Sequence, residues 1–116
     1  MSANTDIKVL QPSGILTAAT APDLLQEFNH CLKGKPPLIL VNLQSVDFID
    51  SSGLGSIVSM HTRMRLAGGK LCLCGLNDQA KSLFDISDMD RILEIFDTAT
   101  EFFAKTEKKH LAVLVE

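Results

Sequence analysis

An aspartate and two serines stand together in the stretch VDFIDSSGLGS, residues 46–56, where strand-type residues meet the predicted first turn of a helix. This group is compatible with three kinds of chemistry. Asp50, Ser51 and Ser52 could each cap the helix by accepting a hydrogen bond from one of its free N–H groups. One serine could instead act as a nucleophile, or expose a hydroxyl that another protein phosphorylates.

The residues around the serines do not support catalysis. A hydrolase nucleophile lies in a G-x-S-x-G turn with a histidine base nearby, and Ile49 stands where the first glycine should be. The GLG segment at 53–55 lacks the third glycine of a dinucleotide-binding loop. The three histidines fall within or near the ends of predicted helices and form no evident triad: His30, His61 and His110. We therefore expect no catalytic residue, no cofactor and no enzyme activity.

Two glycines in the first turn of the predicted helix add a further oddity. Glycine in a helix costs roughly 0.5–1 kcal/mol relative to alanine. Gly53 and Gly55 therefore suggest that something needs close access to the backbone. A cap alone needs one polar residue and not three. Helix capping and a modification or docking site both remain open on these residues.

The predicted helix over 52–66 has two contrasting faces at 100° per residue. The face expected in the core carries Leu54, Ile57, Val58, His61 and Met64. The opposite face carries Gly55, Ser56, Ser59, Thr62 and Arg63. This second face is either a surface that a partner approaches closely or an ordinary solvated face.

Composition excludes several classes of function. The 116 residues suffice for one domain, and 46% hydrophobic with 22% charged residues predict a folded core. A formal net charge of -3 and the absence of Trp and Tyr argue against nucleic-acid binding. No apolar run reaches the roughly 18–20 residues of a membrane span, and the N-terminal segment lacks the features of a signal peptide. We expect a cytoplasmic protein with no membrane or nucleic-acid partner.

The cysteines are predicted to be structural. Three cysteines, an odd number in a chain without an export signal, argue against disulfides. Cys72 and Cys74 are two apart in a predicted strand, so they should share one face and pack in the core. No His or Cys pair at ligand spacing accompanies them or Cys31, so we expect no metal site.

The apolar periodicity and the Gly and Pro positions predict alternating strands and helices. Strands are predicted at 7–10, 14–17, 36–43, 70–76 and 91–96, and helices at 20–34, 52–66, 77–87 and 98–110. This order predicts a single α/β domain, with a mixed, mostly parallel sheet of four to five strands packed against about four helices. The long apolar run at 36–43 should be central, and the first two strands should supply an antiparallel element.

Several segments together resemble the STAS domain of bacterial anti-sigma factor antagonists. They are GILTAATAPDL, LILVNLQSVDFIDSSGLG, RLAGGKLCLCGL and ILEIFDT. The D-S-S-G-L-G junction followed by G-G-x-L is more specific than any one piece. The resemblance implies a STAS domain over 1–110, followed by a short apolar tail of uncertain structure at 111–116.

The resemblance also implies a mechanism for the serines. Ser51, which directly follows the aspartate, matches the residue that an anti-sigma factor with serine kinase activity phosphorylates. The unphosphorylated antagonist would bind the anti-sigma factor and so free the sigma factor. Phosphorylation would break this binding, and a PP2C-type phosphatase would restore it.

The resemblance and the small-residue helix face together imply a partner-binding surface. Its residues are Asp50, Ser51, Ser52, Gly53, Gly55, Ser56, Ser59 and Thr17. Thr17 stands where many relatives have an acidic residue, so the contact with a basic group of the kinase should differ here. We expect Ser52 to be mainly a cap or a helper, and the chain to be a monomer or weak dimer. The alternative hypothesis is a non-enzymatic STAS scaffold subunit of a larger signalling or transport assembly.

Overall fold

The computed structural model describes residues 7–106, which fold as alternating strands and helices. The strands are β1 (Ile7–Leu10), β2 (Gly14–Leu16), β3 (Leu38–Asn42), β4 (Val46–Ile49), β5 (Lys70–Cys74) and β6 (Glu94–Phe96). The helices are α1 (Ala21–Lys33), α2 (Ser51–Leu66), α3 (Asp78–Ile86) and α4, which begins at residue 99 and is described as far as 106. The predicted tail at 111–116 and the end of the last predicted helix lie outside the described residues.

Every strand pair in this part of the chain is parallel. β1, β3, β5 and β6 form a four-stranded sheet in that order, and β2 pairs with β4 in a two-stranded ribbon. The predicted α/β class is confirmed. The prediction of an antiparallel element is wrong, because β1 pairs with β3 and β2 pairs with β4, and β1 and β2 do not pair with each other. Pro12, which has no N–H to donate, lies in the break between β1 and β2.

Two strands differ from their predicted extents. The strand-type residues before Asp50 form β4, an element of its own, because a turn closed by a hydrogen bond from the Val46 N–H to the Leu43 carbonyl (3.0 Å) separates it from β3. The strand predicted at 91–96 is shorter. Its first half belongs to a 3₁₀ turn, Met89–Arg91, and to the bend that follows.

Apolar cores lie on both faces of the four-stranded sheet. Successive residues of a strand point to opposite faces, so the central strands β3 and β5 are buried on both sides. One core joins the sheet to α1, α2 and α3 through Ile39, Val41, Leu71, Leu73, Phe28, Ile57, Met60, Met64 and Phe84. The other lies under α4 and contains Leu40, Cys72, Cys74 and Phe102. The prediction that Cys72 and Cys74 pack together in the core is confirmed.

The buried face of α2 is rotated slightly from the predicted one. Val58 and His61 are only half-buried, whereas Met60 is fully buried in the core. Three of the predicted residues are buried as expected: Leu54, Ile57 and Met64. The exposed face includes Gly55, Ser59 and Thr62, so the prediction of a face of small residues is confirmed.

Candidate functional site

The first turn of α2 is capped by Asp50. This residue has an extended backbone, and its carboxylate accepts a hydrogen bond from the Gly53 N–H at 2.9 Å. Ser51 and Ser52 already belong to the helix, where a side chain is not placed to cap the same N–H groups. Of the two roles expected for Ser52, the cap is therefore wrong, and its role as a helper stays a prediction; Asp50 is the one residue of the three that caps the helix.

Ser51 is the first helical residue, and its side chain is exposed. Within residues 7–106 its hydroxyl takes part in no hydrogen bond. Ser52 is also exposed, and its carbonyl accepts a hydrogen bond from the Ser56 hydroxyl at 3.1 Å. The unmet N–H groups at a helix N-terminus stabilise negative charge nearby. The Ser51 hydroxyl is thus accessible and lies where an added anion is tolerated.

Gly53 and Gly55 have different roles. A Cβ on Gly53 would lie 2.3 Å from the carbonyl oxygen of Leu16, a distance that no side chain can occupy. Gly53 is also buried, and its lack of a side chain lets α2 pack against the end of β2. A Cβ on Gly55 would meet nothing within 4 Å. Gly53 is therefore needed for close packing within the domain, whereas the expectation that Gly55 gives a partner access to the backbone stays a prediction.

The loop after β2 reaches the same place as the start of α2. Leu16 pairs with Ile49, and the Asp50 N–H donates to the Leu16 carbonyl at 3.2 Å. Thr17 therefore leaves the sheet beside Asp50. It is half-buried, and its backbone N–H donates to the Thr20 hydroxyl at 2.9 Å. Thr17 and the Asp50–Ser51 junction therefore lie at the same end of the β2–β4 ribbon.

Two side chains of α3 hold this junction, and sequence analysis gave them no role there. The Gln79 amide accepts from the Ile49 N–H at 3.0 Å and donates to the Ile49 carbonyl at 2.7 Å. The Asn77 amide donates to the Asp47 carbonyl at 2.9 Å. These bonds satisfy the edge of β4 that faces away from β2. The contacts span about thirty residues of sequence, so no local sequence pattern predicts them.

His61 is too distant to activate Ser51. Ten residues of helix separate them, which corresponds to ~15 Å along the axis. Both ring nitrogens of His61 are buried without a hydrogen-bond partner in the described part of the chain. Burial, and secondarily the positive charge of Arg65, lower the pKa of His61 below its usual 6.5. Among residues 7–106, no three His, Cys, Asp or Glu side chains are grouped so as to hold a metal ion.

Comparison with known proteins identifies the family. A family model described as the STAS domain matches residues 1–102, so the chain belongs to the STAS domain family. The anti-sigma F factor antagonist of Paenibacillus polymyxa is 24% identical over 108 residues, which cover 92% of each chain. The anti-sigma-B factor antagonist of Listeria monocytogenes is 30% identical over 83 residues, covering 72% of this chain and 73% of that protein.

A solved structure of similar fold is that of the anti-sigma factor antagonist SpoIIAA in its unphosphorylated form. It superposes with a TM-score of 0.75, 18% sequence identity and coverage of 93% of each chain. At that identity the likeness establishes the fold alone. None of the described helices combines the length and apolar character needed to cross a bilayer.

Proposed function

We propose that this chain is an anti-sigma factor antagonist whose binding to the anti-sigma factor is switched off by phosphorylation of Ser51. The observation that carries the proposal is the exposed Ser51 hydroxyl at the first position of α2, in a helix end that Asp50 alone already caps. A residue that the fold does not need for capping is available for modification. Membership of the STAS family and the names of its relatives support the partner class.

A phosphate at Ser51 changes the surface more than the fold. It adds about -1.5 to -2 charge at neutral pH. The helix N-terminus accommodates an anion, so the domain stays folded. The Asp50 carboxylate is held by the Gly53 N–H and stays beside the phosphate. A partner shaped for a neutral hydroxyl would then meet concentrated negative charge, so binding weakens without a large rearrangement.

The proposed contact surface consists of exposed and half-buried residues around Ser51. It includes Asp50, Ser51, Ser52, Gly55, Ser56, Ser59 and Thr17, while the buried Gly53 supports it from below. Small side chains along α2 let a partner approach the helix closely. In this proposal the chain is a kinase substrate and not an enzyme. The anti-sigma factor supplies the serine kinase, and a PP2C-type phosphatase reverses the reaction.

The test uses the anti-sigma factor kinases of the organism that carries this chain, each purified and incubated with the chain and ATP. Tandem mass spectrometry should place the phosphate on Ser51. The Ser51→Ala variant should bind but take up no phosphate, whereas Ser52→Ala should be phosphorylated normally. Phosphate on Ser52 with Ser51 unmodified would reject the assignment. Stable binding to a kinase without phosphate on either serine would reject the switch and favour a binding scaffold.

A further inference from the structure

Two large apolar side chains lie side by side on the outer face of the β2–β4 ribbon. Ile15 pairs with Phe48, and their exposed fractions are 51% and 43%. Their neighbours Leu16 and Ile49 point the other way into the core. Isolated exposed apolar residues are normal on protein surfaces. An adjacent pair on a paired strand face, two residues from the Asp50–Ser51 junction, is a more specific feature.

A β-bulge creates this pair. Gly14 pairs with Val46 and Ile15 pairs with Phe48, so Asp47 is an extra residue in β4. A bulge of this kind redirects the side chains that follow it. The Asn77 side chain donates to the Asp47 carbonyl at 2.9 Å and so fixes the bulge from the opposite edge. The Ile15–Phe48 pair is therefore held in place by the fold and is not a frayed strand end.

The same Ile15 lines an open cleft of about 250 Å³ between the β1–β2 segment and α1. The other lining residues are Gln11, Pro12, Ser13, Leu16, Thr20, Asp23, Leu24 and Glu27. This set contains two carboxylates and no basic side chain. Asp23 and Glu27 are exposed and one helical turn apart. Neither forms an ion pair with any residue between 7 and 106.

We propose that Ile15, Phe48, Asp23 and Glu27 form a second contact area for the anti-sigma factor, which receives a basic, amphipathic segment of that partner. We call these four residues the cleft surface; Ile15, Asp23 and Glu27 line the cleft, and Phe48 pairs with Ile15 beside it. A Lys or Arg of the partner lies between the two carboxylates, and an apolar side chain packs on the Ile15–Phe48 pair. The inference rests on the proposed function, because it assigns this surface to the same partner.

Continuity and charge both favour this occupant. Leu16, which follows Ile15, accepts a hydrogen bond from the Asp50 N–H at 3.2 Å, so the cleft surface adjoins the Ser51 junction. A partner that covers Ser51 therefore reaches Ile15 with little extra span. A second copy of the chain fits less well, because its formal net charge is -3 and it would meet an acidic cleft.

The test measures the dissociation constant for each purified anti-sigma factor of the same organism by titration calorimetry at two salt concentrations. The Asp23→Asn/Glu27→Gln double variant should bind about tenfold more weakly or worse at low salt, with a smaller salt dependence than the wild-type chain. Phe48→Ser should weaken binding by a similar factor at both salt concentrations. Each variant should still melt cooperatively, with a midpoint lowered by no more than a few degrees, because Asp23 lies in the first turn of α1 and Phe48 is 43% exposed.

Matched controls place the same changes elsewhere. Asp97→Asn/Glu101→Gln removes two exposed carboxylates at the same spacing, and Ile86→Ser removes an isoleucine that is 81% exposed. Both should bind like the wild-type chain. Normal binding by the cleft variants, together with loss of binding in Ser51→Asp, would overturn this inference and leave the proposed function standing. No binding by the wild-type chain would overturn both. A change in self-association alone, seen by sedimentation, would assign the surface to a second copy and overturn it as well.

Discussion

The helices α2 and α3 begin with the same local geometry and present different chemistry. Each follows a strand, and each has an extended N-cap residue whose side-chain oxygen accepts a hydrogen bond at 2.9 Å from the N–H three positions later. The caps are Asp50 in α2 and Asn77 in α3. At the first helical position, however, α3 carries an acid, Asp78, and α2 carries the neutral Ser51.

This difference shows which residues the fold requires. The exposed Asp78 demonstrates that the first position of a helix in this domain accepts an anion. A phosphate on Ser51 would place an anion at the equivalent position of α2. At the second position, Gln79 holds the edge of β4, whereas Ser52 makes no side-chain contact of that kind within the described residues. The hydroxyls of Ser51 and Ser52 are therefore available for function.

The largest effect on stability is expected at Gly53, the third residue of α2. Gly53→Ala should lower the free energy of unfolding by about 1–3 kcal/mol, because the new Cβ would collide with the Leu16 carbonyl. Gly55→Ala is the matched control and should raise stability by about 0.5–1 kcal/mol, since its Cβ meets open space. Urea denaturation of both variants checks this. Equal stabilities would show that α2 does not pack against β2 as described.

Removing the two N-cap side chains should lower the free energy of unfolding by different amounts. Asp50→Ala should lose about 0.5–2 kcal/mol, the usual cost of a missing N-cap. Asn77→Ala should lose more, because its amide also donates a hydrogen bond to the Asp47 carbonyl and an intramolecular hydrogen bond adds about 0.5–1.5 kcal/mol. Chemical denaturation of the pair measures the difference. If Asn77→Ala costs less than Asp50→Ala, the β4 edge is not held from α3.

A histidine deeper in α2 should make stability depend on pH. Because burial lowers the pKa of His61, the unfolded chain binds more protons than the folded one between that lowered value and the usual 6.5. Stability should therefore fall as the pH drops below 6.5. His61→Gln should flatten this part of the profile, which thermal melts between pH 7.5 and about 5 would reveal. An unchanged slope in the variant would assign the pH dependence to other groups.

The smallest effect is expected at the second helical position of α2. Ser52→Ala should change stability by less than about 0.5 kcal/mol, as for other exposed positions without a special contact. Gln79→Ala, at the equivalent position of α3, should cost clearly more, because it removes both hydrogen bonds to Ile49. A loss above about 1 kcal/mol in Ser52→Ala would mean that Ser52 contributes to the cap after all.

The sequence predicts the elements of this fold better than their pairing. The continuous apolar runs of β3 and β5 identify the central strands, because residues buried on both faces leave no polar alternation. The short β2 and β4 carry too little pattern to show that they pair with each other. Their parallel pairing depends on chain breaks at Pro12 and at the turn after Leu43. A local sequence pattern locates such breaks but does not show which strand the next segment pairs with.

The candidate site, too, is predicted by the sequence only in part. The motif places Ser51 at the start of a helix, and the structure agrees. Which of the three polar residues caps α2 depends on where the helix begins, and a shift of one residue changes the answer. The need for Gly53 comes from the Leu16 carbonyl, and the support of Gln79 comes from a helix thirty residues away. Contacts that are distant in sequence cannot be found from one segment alone.

The most direct test of the central claim compares the unmodified chain with the same chain phosphorylated by its kinase. In titration calorimetry, the unmodified form should bind the anti-sigma factor at least about a hundredfold more tightly than the phosphorylated form, or be the only form that binds. Thermal melts of both forms should agree or favour the phosphorylated form by about 0.3–1 kcal/mol, since the anion lies at a helix N-terminus. Equal affinities for the two forms would contradict the account. Loss of binding accompanied by unfolding would contradict its claim that the switch acts through surface charge.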